Sequence, residues 1–385
     1  RANAPLLEQA GAYDALIERY PDAPQSDDAR WTAGLLRYRA GQAEEALARW
    51  EALAASGAEP YEGLAEFWAG KAAAATGDEA AARAWWQRAT MADASHATLR
   101  ARALLDGQPW QPRTEEAYRY PAAGADELDW LTERLDLALD EVHDAEPASA
   151  LFAQGEQLLA WGERQRAIAH FLEAIRGSDD ELDLWAMATR LESLGVSNMS
   201  QAAALRLMSL LGLDLLEPPP ALLTLAYPLP FEAEVRAAAG DYGIDPLFLA
   251  ALIHRESAWE PAATSSAAAR GLTQVIPDTG AWIATRLEDN DYEYRQLDRP
   301  VVALRYGAYY LDYVLRQFDD NPWHALAAYN GGPGNARRWV VDDDDLYVAL
   351  VPFPETKLYL ETVYERWWAY DRLYRDSLGS SSRRE

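Results

Sequence analysis

The chain contains no cysteine. Disulfides, zinc–thiolate sites, iron–sulfur clusters and cysteine nucleophiles are therefore all excluded. The compartment stays open, because a large core holds without disulfides. Lysine is nearly absent too. Only Lys71 and Lys357 accompany the arginines, and 35 basic residues face 62 acidic ones, for a net charge of −27. Nucleic acid is a poor partner for such a chain, since its binding rests on neutralising phosphates. An anionic membrane surface is disfavoured for the same reason. A saline habitat and plain solubility both fit the acidity. No apolar run reaches the ~18 residues that suggest a membrane span. There is no Gly-x-x-x-x-Gly-Lys phosphate loop, no Gly-x-Ser-x-Gly elbow and no His-Glu-x-x-His metal motif. His96, His143 and His170 are scattered without metal-ligand spacing, so no metal and no cofactor is expected.

What is present is globular. Hydrophobic types make up 49% and charged types 25% of 385 residues, which excludes wholesale disorder and suggests two or three domains. The chain opens Arg1-Ala2-Asn3-Ala4-Pro5 without a charged-then-apolar leader, as after removal of a secretory signal or as in a cytoplasmic protein.

Residues 1–215 are rich in Ala, Leu, Arg and Glu and poor in β-branched types, which favours helix throughout. A glycine followed nine positions later by an aromatic recurs as Gly11/Tyr20, Gly41/Trp50, Gly77/Trp86 and Gly162/Phe171. Alanine stands five after the glycine at Ala46, Ala82 and Ala167. Glycine permits the turn of a helical hairpin, alanine lets the helices approach, and the aromatic fills the groove. The pattern predicts an α-superhelix of degenerate, tetratricopeptide-like hairpins; an ordinary helical domain is the alternative. Trp31, Trp50, Trp68, Trp85, Trp86, Trp110, Trp130, Trp161 and Trp185 are read mainly as inter-helix core rather than sugar platforms.

Glu217-Pro218-Pro219-Pro220 and Tyr227-Pro228-Leu229-Pro230 cannot continue a helix, which places a border near 224/225 and gives domains 1–224 and 225–385. Beyond it, Asp245 and Pro246 are a good N-cap and first residue of a helix ended by Pro261. Leu249, Leu252, Ile253 and Glu256 follow i, i+3, i+4, i+7, so Glu256 projects from the apolar face near the C-terminal end. Desolvation there, with no positive helix end to offset it, favours the protonated acid. A general acid needs that form. A glutamate that reaches out to solvent is the competing reading of the same pattern. His254 faces away from Glu256 at i, i+2.

Further ordered blocks follow: Ser265, then Gly271-Leu272-x-Gln274-x-x-Pro277; Tyr329-Asn330-x-Gly332-Pro333-Gly334; and Pro352-Phe353-x-Glu355-Thr356 with Tyr359. With Glu256-Ser257-Ala258-Trp259 these make the chain resemble the soluble lytic transglycosylases of bacterial peptidoglycan, whose catalytic domain is lysozyme-like and of the goose type. The sequence departs from the family's habit at Ala268 (glycine), Thr273 (methionine), Gly331 (alanine) and Leu358 (glycine).

The resemblance implies an all-α fold, a helical superhelix followed by a lysozyme-like domain, and a periplasmic enzyme acting on peptidoglycan glycan strands. It implies cleavage of the β-1,4 bond between N-acetylmuramic acid and N-acetylglucosamine, with Glu256 as single acid and then base and a 1,6-anhydromuramyl product. It further implies substrate binding by Ser265, Gln274, Ile276, Tyr329, Asn330 and Glu355, with Tyr329 orienting Glu256 or the substrate. Each has a plainer reading: Ser265 and Asn330 as turn residues, Gln274 as a backbone partner, Tyr329 as core, Glu355 as a helix-start acid. A hydrolytic muramidase and a non-catalytic helical scaffold are the rival functions. Asp342–Asp345 is expected to be a solvated loop.

Overall fold

The computed structural model describes residues 3–108, 110–114, 117–119, 128–136 and 138–375. Among these the fold is all-α, with no strand and only the isolated bridges Thr264–Arg270 and Arg270–Val275. By internal contacts the chain divides into two units, Arg1–Trp110 and Gln111–Glu385.

The first unit holds α1 (Ala4–Arg19), α2 (Gln25–Arg39), α3 (Ala43–Ser56), α4 (Leu64–Ala75), α5 (Glu79–Ala89) and α6 (His96–Asp106), each packed on the next. The second begins with α7 (Asp129–Leu135) and α8 (Leu139–His143). The pairs α9 (Ala150–Ala160) with α10 (Arg164–Gly177), and α11 (Glu181–Ser193) with α12 (Ser197–Leu210), follow as hairpins.

The hairpin register is tighter than the sequence pattern suggested. Gly41, Gly77 and Gly162 turn with φ of +81°, +87° and +79°, a region that favours glycine. Seven residues before each stands a second glycine: Gly34, Gly70 and Gly155. A Cβ there would lie 2.5, 2.4 and 2.6 Å from the rings of Trp50, Trp86 and Phe171. The aromatic nine after the turn thus packs directly against the bare backbone of the preceding helix. Ala46, Ala82 and Ala167 are fully buried between them. Ala188, Gly195, Ser200 and Ala204 repeat this register in α11–α12 with a small residue in place of the ring, and Ser200 Oγ donates to the Ala188 carbonyl at 2.8 Å. Gly11/Tyr20 does not belong to the pattern. Gly11 lies inside α1, whose far end leaves Tyr20 52% exposed.

The proline-rich stretch does not separate the units. Pro220 starts α13 (Pro220–Ala226), followed by α14 (Glu232–Gly240), α15 (Pro246–Ser257), α16 (Pro277–Arg286), α17 (Pro300–Gln317), α18 (Pro322–Gly331), α19 (Pro333–Trp339), α20 (Asp344–Leu350) and α21 (Pro354–Tyr374). Seven of these nine open on proline, whose fixed φ and missing N–H suit a first helical turn. The α15 helix is the centre of the core. Every residue from Leu247 to His254 is buried, and its main neighbour is α21. Asp245 caps it, accepting from the Leu247 N–H at 3.0 Å, and is itself held by Trp367 Nε1 at 3.0 Å and by Arg375. Burial raises its pKa, against the pull of Arg375. Asp342–Asp345 is more than a solvated loop: Asp343 caps α20 by accepting from the Asp345 and Leu346 N–H groups, and Asp345 is 3% exposed. Capping consumes acids that composition alone leaves in water.

Candidate active site

Glu256 is the last residue but one of α15. The chain then leaves the helix through Ala258 and Trp259, both left-handed at φ +47° and +67°. Each such non-glycine residue costs about 1 kcal/mol or more. Trp259 supplies the compensation: it is 2% exposed, and its Nε1 donates to Tyr370 Oη at 3.0 Å. Tyr370 Oη also meets His254 Nδ1 at 3.1 Å and donates to the Pro228 carbonyl at 2.7 Å. On its other edge His254 meets Gln201. Burial drives the His254 pKa well down. His254 therefore belongs to a dry network behind the helix, on the side away from Glu256.

Two further ties hold the helix end. Ser257 Oγ donates to the Leu272 carbonyl at 2.9 Å. Glu260, 7% exposed, takes a two-pronged grip from Arg164 of α10, with Arg164 Nη2 to Oε2 at 3.0 Å. The loop beyond is shaped by Gly271 (φ +78°), where any Cβ would strike the Leu297 carbonyl oxygen at 2.0 Å, and by the Arg270–Asp298 pair at 2.6 Å. Thr273 is fully buried. Its hydroxyl donates to the Ala303 carbonyl at 2.9 Å, and it fills the space over Gly307, where a Cβ would sit 2.3 Å from it. The threonine is accommodated because α17 presents a glycine and a carbonyl to it. Ala268 carries the strain expected where glycine is usual, at φ +59°. Leu358 is exposed, and Gly331 faces Thr356 Oγ1 at a would-be 3.1 Å.

Glu256, Ser265, Gln274, Ile276, Tyr329, Asn330 and Glu355 all line one cavity of about 510 Å³. Sequence blocks more than 90 positions apart thus converge. The contacts refine their parts. Ser265 Oγ accepts from the N–H groups of Ala267 (3.2 Å) and Ala269 (3.0 Å), leaving its proton to donate. Gln274, at φ +47°, spends its amide N–H on the carbonyls of Ala263 and Gly271. Asn330 Oδ1 accepts from Thr356 Oγ1 at 2.7 Å. Ile276 is 44% exposed, and Glu355 is exposed in the first turn of α21. Tyr329 does not bond Glu256; its hydroxyl donates to the Thr273 carbonyl at 2.8 Å.

The partner of Glu256 is Tyr359. Its buried hydroxyl donates to Glu256 Oε1 at 2.6 Å. Tyr359 was visible only as the last letter of the fourth block, one turn of α21 beyond Glu355; nothing in its spacing to Glu256 advertised the contact. Thr279 and Tyr310 on the cavity wall were also missed. Burial pushes the Glu256 pKa up to about 7. The Tyr359 bond and the Arg255 charge pull it down, and Glu355 pushes it up. Burial wins. No group of three His, Asp or Glu side chains converges as a metal site among the described residues.

The site is thus a buried carboxylic acid on the wall of a cavity in an all-helical unit. Residues 234–347 match the family described as transglycosylase SLT domain. The chain is 36% identical over 142 residues to the soluble lytic murein transglycosylase of Salmonella typhimurium, spanning 35% of this chain and 21% of that protein. Against the Escherichia coli K12 protein of the same name it is 32% identical over 159 residues, spanning 40% of this chain and 24% of that one. Among solved structures, lytic transglycosylase Slt from Pseudomonas aeruginosa superposes with a TM-score of 0.72 at 21% identity, over 95% of this chain and 55% of that chain. The 70-kDa soluble lytic transglycosylase in complex with bulgecin A gives 0.66 at 20% identity, over 90% and 52%. Residues 234–347 are thus similar to an SLT domain, and the fold is that of the solved soluble lytic transglycosylases. The chain spans about half the length of those solved chains, and the sequence match spans under a quarter of the curated relatives.

Proposed function

We propose that the chain is a peptidoglycan lytic transglycosylase of the periplasm, with its catalytic part in residues 225–385 and the preceding hairpins holding the glycan strand. The observation that carries this is Glu256, a carboxylic acid at about 7, bonded by Tyr359 on the wall of the cavity. Protonated, it gives its proton to the bridging oxygen between N-acetylmuramic acid and N-acetylglucosamine. Ionised, it takes the proton of the muramyl C6 hydroxyl as that oxygen closes on C1, forming the 1,6-anhydro ring and returning Glu256 to its starting state. The proton given equals the proton recovered, so one carboxyl suffices. Tyr359 steadies the ionised intermediate form. Ser265, Gln274, Ile276, Tyr329, Asn330 and Glu355 bind the sugars around the scissile bond.

Hydrolysis has one observation in its favour. Glu355 is a second carboxylate on the same cavity, and a hydrolase generally uses a pair. Mass analysis of fragments from purified sacculi separates the two: anhydro ends are one water lighter than hydrolytic ends. Hydrated ends alone would replace the transglycosylase reading.

A further inference from the structure

A side chain from the hairpins reaches the end of the Glu256 helix. Arg164, the first residue of α10, meets Glu260, 96 positions away, through Nε (3.3 Å to Oε1, 3.2 Å to Oε2) and Nη2 (3.0 Å to Oε2). Glu260 is a junction. Its N–H donates to the Ser257 carbonyl at 3.0 Å, which closes the left-handed exit through Ala258 and Trp259. Its Oε1 accepts from the Ala262 N–H at 3.3 Å, and its carbonyl accepts from the Ala263 N–H at 3.2 Å. The Ala263 carbonyl in turn accepts from the Gly271 N–H at 2.9 Å and from Gln274 Nε2 at 3.1 Å. One run of hydrogen bonds therefore joins Arg164 both to the turn that ends the Glu256 helix and to Gln274. Glu256 and Gln274 line the cavity, and Arg164 lies outside its wall.

Stability alone does not call for a charged pair here. Apolar side chains of similar volume commonly hold such a contact as well or better. What a guanidinium adds is direction: its planar fork fixes the plane of the carboxylate it grips, which a single ammonium does not. Direction matters at this place. Two consecutive left-handed non-glycine residues make the exit strained, and such backbone persists only where its surroundings over-determine it. An acid that gives a proton and takes one back is in turn sensitive to displacements of about 1 Å.

We propose that Arg164 and Glu260 are positioning residues for the cleavage step: the fork of Arg164 fixes the Glu260 carboxylate, and through it the exit turn that aims Glu256 and the loop that presents Gln274. This rests on the peptidoglycan reading above, with Glu256 as the acid. Neither residue touches the reacting atoms; both act through the backbone between them and the cavity. The hairpin of α9 and α10 thereby takes a part in the chemistry, although its own side chains stand outside the site.

The test measures kcat and KM on soluble peptidoglycan strands by counting newly formed glycan ends, at a temperature well below the melting point of every variant, which is recorded alongside. Arg164→Ala is expected to lower kcat about tenfold and to change KM far less. Arg164→Lys keeps the positive charge without the fork, so it should regain melting temperature while kcat stays low. Arg164→Met combined with Glu260→Leu should do the same, with an apolar contact in place of the pair. If kcat follows melting temperature across the series, or Arg164→Ala cuts at the wild-type rate, the pair is structural only and the positioning role is refuted while the cleavage reading stands. A wild type that does not cut strands overturns that reading and the positioning role with it.

Discussion

The hydroxyl of Tyr359 donates to Oε1 of Glu256 at 2.6 Å, within a site whose burial alone would hold the carboxyl protonated. The two influences oppose each other, and the balance leaves the acid at about 7, where one group can give and take back a proton at neutral pH. Activity is therefore expected to decline as pH rises through about 7. Tyr359→Phe removes a donor that favours the ionised form, so the alkaline limb should move to higher pH and the rate should fall ~10- to 100-fold. A pH–rate profile of both proteins decides this; superimposable limbs would remove Tyr359 from the mechanism.

The same group makes stability depend on pH. Its folded value of about 7 lies above the ordinary 4.5, so the folded protein holds the proton more tightly. The associated stability is complete below about 4.5 and is lost as pH rises through 7. Glutamine mimics the neutral acid at every pH. Glu256→Gln should then match wild type near pH 4 and exceed it at pH 8 by on the order of 3 kcal/mol. Urea unfolding at the two pH values reads the difference directly, and a constant offset would contradict it.

Arg164 reaches from α10 to a glutamate just beyond the Glu256 helix. Arg164→Ala leaves Glu260 buried and without its grip. The loss should be about 2 kcal/mol, less than for a fully buried pair because the Arg164 side chain is 32% exposed. Chemical denaturation measures it. A charge-free exchange of both partners for apolar residues should recover part of the stability.

At Gly70, any Cβ meets the Trp86 ring at 2.4 Å, and that ring is pinned by a bond from Nε1 to the Phe67 carbonyl at 3.2 Å. Gly70→Ala should cost about 1–3 kcal/mol through overpacking. Trp86→Leu should cost more on its own than when combined with it, and a double-mutant cycle exposes the coupling. Additive effects would mean the two residues do not touch as described.

Ala268 sits at φ +59° in an exposed turn. Ala268→Gly relieves the left-handed strain at the cost of a looser unfolded chain, for a net gain of about 0.5–1 kcal/mol. Thermal unfolding should show a small rise; a fall would mean the turn is not strained.

Much of the architecture was legible in residue order. The glycine–alanine–aromatic spacing located three hairpins because each residue type answers a local need, and it failed at Gly11 because a lone glycine is also tolerated inside a helix. Glu256 could be placed on an apolar face by counting. Its surroundings could not, since Tyr359 is 103 positions away and approaches only because α21 packs along α15. The plain readings of Ser265 and Gln274 are compatible with their place on the cavity, since each bonds nearby backbone and still lines the wall, whereas Asn330 is no turn residue but sits at the end of α18 and accepts from Thr356 of α21.

The sequence by itself determined an all-helical chain, the turn positions, and a carboxylate at the end of an apolar helix, because these follow from backbone freedom, periodicity and composition within a few residues. Only the tertiary structure decided which glycines lie under which rings, which tyrosine bonds the acid, and which distant segments line one cavity. Those facts depend on distances between segments far apart in the chain, and burial, which lifts the acid to about 7, is a property of the packed whole.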